Sequence, residues 1–184
     1  MQQQQQRNFK RQEATSTDVE KVIQIDRVNK VVKGGKRLAF RAFVIAGDTQ
    51  GKVGLGLGKS KEVPSAIKKG IDRAKKKYAT IQVINGTIPH EVHGAFSASR
   101  VILKPAKPGT GVIAGGAVRI LLEAAGIKDI VAKSLGSTNA INAAKAALNG
   151  LMKLKNLEEE TKLRGKQLPV FVEKKQTVQD NGEA

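Results

Sequence analysis

The sequence predicts an α+β protein with helices packed on one face of a sheet. Three observations carry that expectation. Residues 51–78 (GKVGLGLGKSKEVPSAIKKGIDRAKKKY) change period midway: Val53, Leu55 and Leu57 alternate with Gly54, Gly56 and Gly58, then Ile67, Ile71, Ala74 and Tyr78 recur at helical spacing. Strand-like runs precede that helix, and strand-like runs again precede a second helical pattern after residue 114. Hydrophobic residues make up 40% of the 184, enough for a core.

The elements follow in order. Residues 1–17, with glutamines at 2–6, read as a disordered N-terminal extension, and residues 169–184 as a flexible tail. Between them lie two units, 18–84 and 88–168, with an Asn85-Gly86 turn signal at the seam. In the first unit, residues 22–32 predict a strand, 33–37 (KGGKR) a charged loop, 38–46 a strand, 47–51 (GDTQG) a hairpin loop and 52–58 the glycine-alternating strand. Pro64 suits the first turn of the helix that follows. Lys68, Lys69, Arg73, Lys75 and Lys76 fall mainly off its apolar stripe. In the second unit, residues 91–96 and 100–103 predict strands, and 104–109 (KPAKPG) break the chain. A helix from Ala114 sets Val118, Leu121, Leu122 and Ala125 on one face, and Gly126 ends it. Residues 127–134 predict a short strand. Ser137 or Thr138 then caps a final helix with Ile141, Ala144, Leu148 and Leu151 inward.

The formal net charge is +17 and the pI about 10.2. Such an excess repels itself in a compact chain, and a polyanionic partner is the usual reason to keep it. Aromatics are 3% with no Trp, which argues against base-stacking platforms for single strands. What remains is contact with phosphates and with the shape of folded, double-helical RNA, or with DNA backbone. The chain has no cysteine, which excludes a disulfide framework, a Cys-type zinc site and thiol catalysis. The most apolar window, 111–127, is interrupted by Arg119 and Glu123, so no membrane span is expected. The N-terminus lacks the apolar stretch of a signal peptide.

Candidate chemistry reduces to anion contact. GLGLGKS resembles a P-loop, but that motif needs a glycine where Val53 stands. A bare strand face at Gly54, Gly56 and Gly58, beside Lys59 and Lys61 and a helix start, suits close approach of a phosphate backbone. Residues 109–117 (GTGVIAGGA) form a second glycine-rich entrance to a helix, with no general base or Mg²⁺ carboxylates beside it. Loop packing or macromolecular contact is the expectation there. His90 and His93 flank Glu91, but the spacing is one short of H-E-x-x-H, and Pro89 and Gly94 oppose a helix. Zinc wants three or four protein ligands, and no further His or Cys exists. Asn139 with Ser137 and Thr138 reads as a cap, Arg119 as a snorkelling or partner-facing cation, and residues 158–160 (EEE) as a solvated helix end. No catalytic residue, metal set or cofactor is expected.

Four segments carry a family likeness, in this order: VNKVVKGGKR (28–37), GDTQGKVGLGLGKSKEVPSAIKKG (47–70), PGTGVIAGGAVR (108–119) and LGSTNAIN (135–142). Over residues 19–168 the chain resembles the S-five family of bacterial-type small-ribosomal-subunit proteins. Ala140 stands where many relatives have proline, and the glutamine-rich start has no family counterpart. The resemblance implies a double-stranded-RNA-binding-like β-β-β-α domain followed by a β-β-α-β-α domain with a left-handed βαβ crossover. It implies a structural, non-enzymatic ribosomal constituent in the cytoplasm, or in a plastid stroma if organelle-encoded. The 28–37 segment matches the family's RNA-reaching loop, through Lys30, Lys33, Gly34, Gly35 and Lys36. With the basic residues around them, the expected RNA-binding set adds Arg27, Arg37, Arg41, Lys52, Gly54, Gly56, Gly58, Lys59, Lys61, Lys68 and Lys69. Gly111 and Arg119 match the family's interface with its S-four neighbour, which affects decoding accuracy. S-eight is the other implied protein partner, and messenger RNA passes the basic side of the first domain. Small-subunit ribosomal RNA is the main partner the resemblance implies. Two rivals are a small-molecule kinase built on residues 109–117 and a free-standing nucleic-acid-binding module.

Overall fold

The computed structural model describes residues 18–165. The expected N-terminal extension, the tail and residues 166–168 of the second unit lie outside them. The first sheet has strand order β1-β2-β3-β4, from β1 (Val19–Val32), β2 (Gly35–Gly47), β3 (Lys52–Ser60) and β4 (Ala79–Thr80), with α1 (Val63–Lys75) between the last two. The second has order β5-β6-β8-β7, from β5 (Val92–Phe96), β6 (Ser99–Pro105), β7 (Val112–Ile113) and β8 (Ile130–Gly136). α2 (Gly116–Ala124) links β7 to β8, which run parallel, and α3 (Ala140–Leu151) and α4 (Leu157–Arg164) follow. The α+β class is as the sequence predicts.

Several details differ from expectation. The KGGKR segment is not a loop. Only Lys33 and Gly34 turn, and the ladder runs to Val32↔Gly35. Gly34 takes φ +88, which permits so tight a reversal and keeps the flanking cations in register. β1 slips register between Val22 and Gln24, a bulge that directs Ile23 into the core. β4 and β7 escaped the sequence because two residues carry no periodicity; their neighbours define them. α2 begins at Gly116 rather than Ala114, and φ +82 at Gly126 ends it as expected. Within the expected Ser137–Asn139 cap of α3, it is Asn139 that serves: its Oδ1 accepts the N–H of Ile141 at 3.0 Å and of Asn142 at 3.3 Å. Ser137 Oγ instead accepts the Asn139 N–H. α3 is not final, since α4 succeeds it.

The layers stack as α1, first sheet, α2 with α3, second sheet. α1 packs on β2 and β3, while α2 meets β1, β2 and β3 as well as α3, and α3 lies on β5 and β6. Helices therefore cover both faces of the first sheet. One core runs from Ile45 and Val53 through Ile81 and Ile88 to Leu103, Leu121 and Leu151. Backbone bonds lock the units together. The N–H groups of Thr49 and Gly51 donate to Ala124 and Ala125 at 3.1 Å, satisfying carbonyls that the end of α2 leaves without helical donors. Asn85 (φ 51) and Gly86 (φ +81) form the turn at the seam, and the Gly86 carbonyl accepts from Lys128 and Asp129.

Candidate nucleic-acid interface

The glycine-bare face of β3 is occupied by the protein itself. A Cβ on Gly54, Gly56 or Gly58 would stand 2.2, 1.9 or 1.8 Å from the carbonyl oxygens of Ala74, Gly70 and Ala66. Those three α1 residues are buried, and they form the centre of its inner face, with Ile67 and Ile71 half-buried beside them. This corrects the expectation that Gly54, Gly56 and Gly58 open a surface to a phosphate backbone. Small residues face small residues, so helix and strand backbones close to contact.

Seating α1 this way turns Lys68 and Lys69 outward into solvent, as expected. Lys52, Lys59 and Lys61 are exposed too. Lys75 is exposed but committed: its Nζ lies 2.9 Å from Glu20 and 3.3 Å from Asp18. The bond with Glu20, more than any other cause, raises its pKa.

The β1–β2 hairpin concentrates the remaining charge. Lys30 stands directly opposite Arg37, and Arg41 directly opposite Lys59 on β3. By strand alternation these four share one face, while Arg27 and Lys36 lie on the other with exposed Ile25, Val31 and Leu38. Like charges directly opposite destabilise a sheet. Asp26 relieves one pair: Arg41 donates to its Oδ2 from Nη2 at 2.6 Å and from Nε at 3.1 Å. Those bonds, and a weaker contribution from Gln24, hold the Asp26 carboxyl below the usual carboxylate range. Arg41 is thus held by Asp26 and is not a free cation. Lys30 and Arg37 have no such carboxylate opposite them. At the tip beyond Lys33, a Cβ on Gly34 or Gly35 would meet nothing within 4 Å.

In the second unit, Gly111 has φ +75, donates its N–H to Asp129 Oδ1 at 2.8 Å and faces open space. Arg119 donates from Nε to Glu123 Oε1 at 2.9 Å. Glu123 also accepts from Lys21 Nζ at 2.7 Å, an ion pair that joins α2 to β1. Lys21 first, then Arg119, lower the Glu123 pKa. The 109–117 segment packs as expected, but through Val112, Ala114 and Ala117, which lie against the core, and not through Gly109, Gly111 and Gly116, where a Cβ would meet nothing within 4 Å. Gly109 (φ +88) and Gly111 serve the backbone's path instead.

His90 lies at the surface, half-buried, and also ties the backbone there. Its Nδ1 lies 2.9 Å from the Glu91 carbonyl and its Nε2 accepts the Lys155 N–H at 3.1 Å. His93 is exposed, 3.4 Å from Glu91. Among the described residues, no group of three or more His, Cys, Asp or Glu is placed to hold a metal ion, and no helix is long and apolar enough to cross a membrane. The side chains of Glu158 and Glu159 lie outside the described set; Glu160 pairs with Lys155 and Arg164.

One grouping had no signal in the sequence. Arg73 and Lys77 converge with Lys145 of α3 around a cleft of about 300 Å³ at the edge of β3. Arg73 and Lys77 are one helical turn apart, but nothing in the order of residues links them to Lys145.

The comparisons with known proteins agree along the chain. A family described as "Ribosomal protein S5, N-terminal domain" matches residues 19–82, and "Ribosomal protein S5, C-terminal domain" matches 94–164. A protein named small ribosomal subunit protein uS5 from Syntrophobacter fumaroxidans is 54% identical over 150 residues, 82% of this chain and 90% of that one. Its namesakes from Thermotoga neapolitana and Thermotoga maritima are 58% and 57% identical over 145 residues, 79% of this chain and 82% of each.

Proposed function

The chain belongs to the ribosomal protein S5 family, a structural and non-enzymatic part of the small ribosomal subunit, and we propose that its β1–β2 hairpin and α1 hold ribosomal RNA. The observation that carries this reading is the Lys30–Arg37 pair, which no carboxylate among the described residues neutralises. A fold that sets two cations opposite each other in a ladder loses stability, and a phosphate between them recovers it. Arg27, Lys33, Lys36, Lys52, Lys59, Lys61, Lys68 and Lys69 add contacts elsewhere on the hairpin, β3, the loop after it and α1, and the open Gly34–Gly35 tip admits an RNA backbone closely.

The mechanism is positional. Cations neutralise phosphates and release counterions, while the core shared by residues 18–84 and 88–165 fixes the angle between RNA-bearing and protein-bearing surfaces. On the second surface, Gly111 and Arg119 serve the S-four neighbour, with S-eight as a further protein contact. Through them the chain supports subunit assembly, messenger passage at the entrance and decoding accuracy. The place of action is the ribosome, which is cytoplasmic in bacteria; nothing in the comparisons supports a plastid origin. Co-sedimentation tests the reading. The chain stays with small subunits through a high-salt wash, and its release as a free nucleic-acid-binding protein favours the rival module instead.

A further inference from the structure

We propose that the cleft at the open edge of β3 receives one unstacked nucleotide of the bound RNA, its base on an apolar floor and its phosphate among three cations. This rests on the RNA-binding reading above and names a subsite within it. Phe43, Leu55 and Leu57 form the floor, and Arg73, Lys77 and Lys145 the rim, and among the described residues no acidic one lines the cleft. Its volume of about 300 Å³ is at the small end of ligand pockets, suited to one base rather than a stacked run.

The edge itself offers recognition. β4 covers β3 only at Lys52 and Val53, so among the described residues β3 has no second neighbour beyond them. Arg73 Nη1 donates to the Leu57 carbonyl at 2.6 Å, which shows that this carbonyl points away from β2. By strand alternation Leu55 points its N–H and C=O the same way, and so does the Leu57 N–H. These are a donor and acceptor set for the edge of a base, beside a guanidinium plane on which a base can stack. Lys145 is steadied by its Nζ lying 4.6 Å from the centre of the Phe96 ring.

An acidic peptide joining β3 as an added strand is the rival of a different class. It needs the Leu57 carbonyl as a ladder acceptor, and Arg73 already holds that carbonyl. A base needs only the groups still open.

The test uses the full chain carrying Lys77→p-benzoylphenylalanine, assembled into small subunits and irradiated. The expected result is a cross-link to one ribosomal RNA nucleotide. In particles carrying Arg73→Gln with Lys145→Gln, the base edge of that nucleotide becomes about tenfold more reactive to base-specific reagents. Lys145→Gln alone, which breaks no backbone bond, moves it the same way by less. A cross-link only to protein overturns the proposal in favour of a peptide. A cross-link to RNA with unchanged base reactivity overturns it in favour of a plain backbone contact, and no cross-link from an incorporated chain overturns it outright. Absence of the unsubstituted chain from the particle overturns the ribosomal reading itself.

Discussion

Gly56 of β3 and Gly70 of α1 meet so closely that a methyl group on Gly56 would stand 1.9 Å from the Gly70 carbonyl oxygen. The same device recurs in the second unit, where a Cβ on Gly94 of β5 would stand 1.9 Å from the Ala146 carbonyl of α3. Two helix–strand contacts therefore depend on side-chain-free backbone.

Gly56→Ala forces helix and strand apart and is expected to cost about 3 kcal/mol, the upper part of the overpacking range. Gly116→Ala, at a helical position in open space with ordinary φ, is expected to be neutral or stabilising by about 0.5 kcal/mol. Urea midpoints of the two variants check both. Equal midpoints would show that α1 can slide off β3 without loss.

The α+β class and the order of the longer strands and helices could be read from the sequence because period changes and turn residues mark them. The Gly54–Gly58 alternation was also visible, but its meaning was not. A bare face suits a ligand and a second backbone equally well, and only the placement of Ala66, Gly70 and Ala74 decides between them. The cations were visible as a sum. Their pairing was hidden, because Asp26 with Arg41 and Lys21 with Glu123 are made by ladder register and layer stacking. For the same reason Lys145 could not be grouped with Arg73.

Glu123 is expected to make the fold sensitive to acid. Lys21 and Arg119 depress its folded pKa, so its contribution is complete above the unfolded value, about 4.3. It is lost as pH falls through the lower folded value. Unfolding midpoints measured from neutral pH downward should fall less steeply for Glu123→Gln than for the unsubstituted chain. Because the pair is partly exposed, the difference near pH 7 is expected to be below about 1 kcal/mol. A steeper acid loss in the variant would contradict the pairing.

Arg119→Ala removes one exposed i, i+4 pair and should cost about 0.5 kcal/mol or less in the free protein. In ribosomes it is expected to change decoding accuracy. A variant that unfolds would assign Arg119 to stability instead.

Lys59→Ala with Lys61→Ala should weaken RNA binding and flatten its salt dependence. Each lost phosphate contact lowers the log–log slope by about 0.9 on duplex-like sites. Titrations at several salt concentrations read this directly, and an unchanged slope would mean that these lysines do not meet phosphates.

Lys30→Ala with Arg37→Ala, assayed for stability and RNA affinity on the same preparation, bears most directly on the hairpin. Removing both cations relieves their mutual repulsion, so thermal stability should hold or rise while RNA affinity drops and the salt slope falls by about 1.8, two contacts' worth. A less stable protein that binds RNA with an unaltered slope would show that the pair serves the fold and not the RNA.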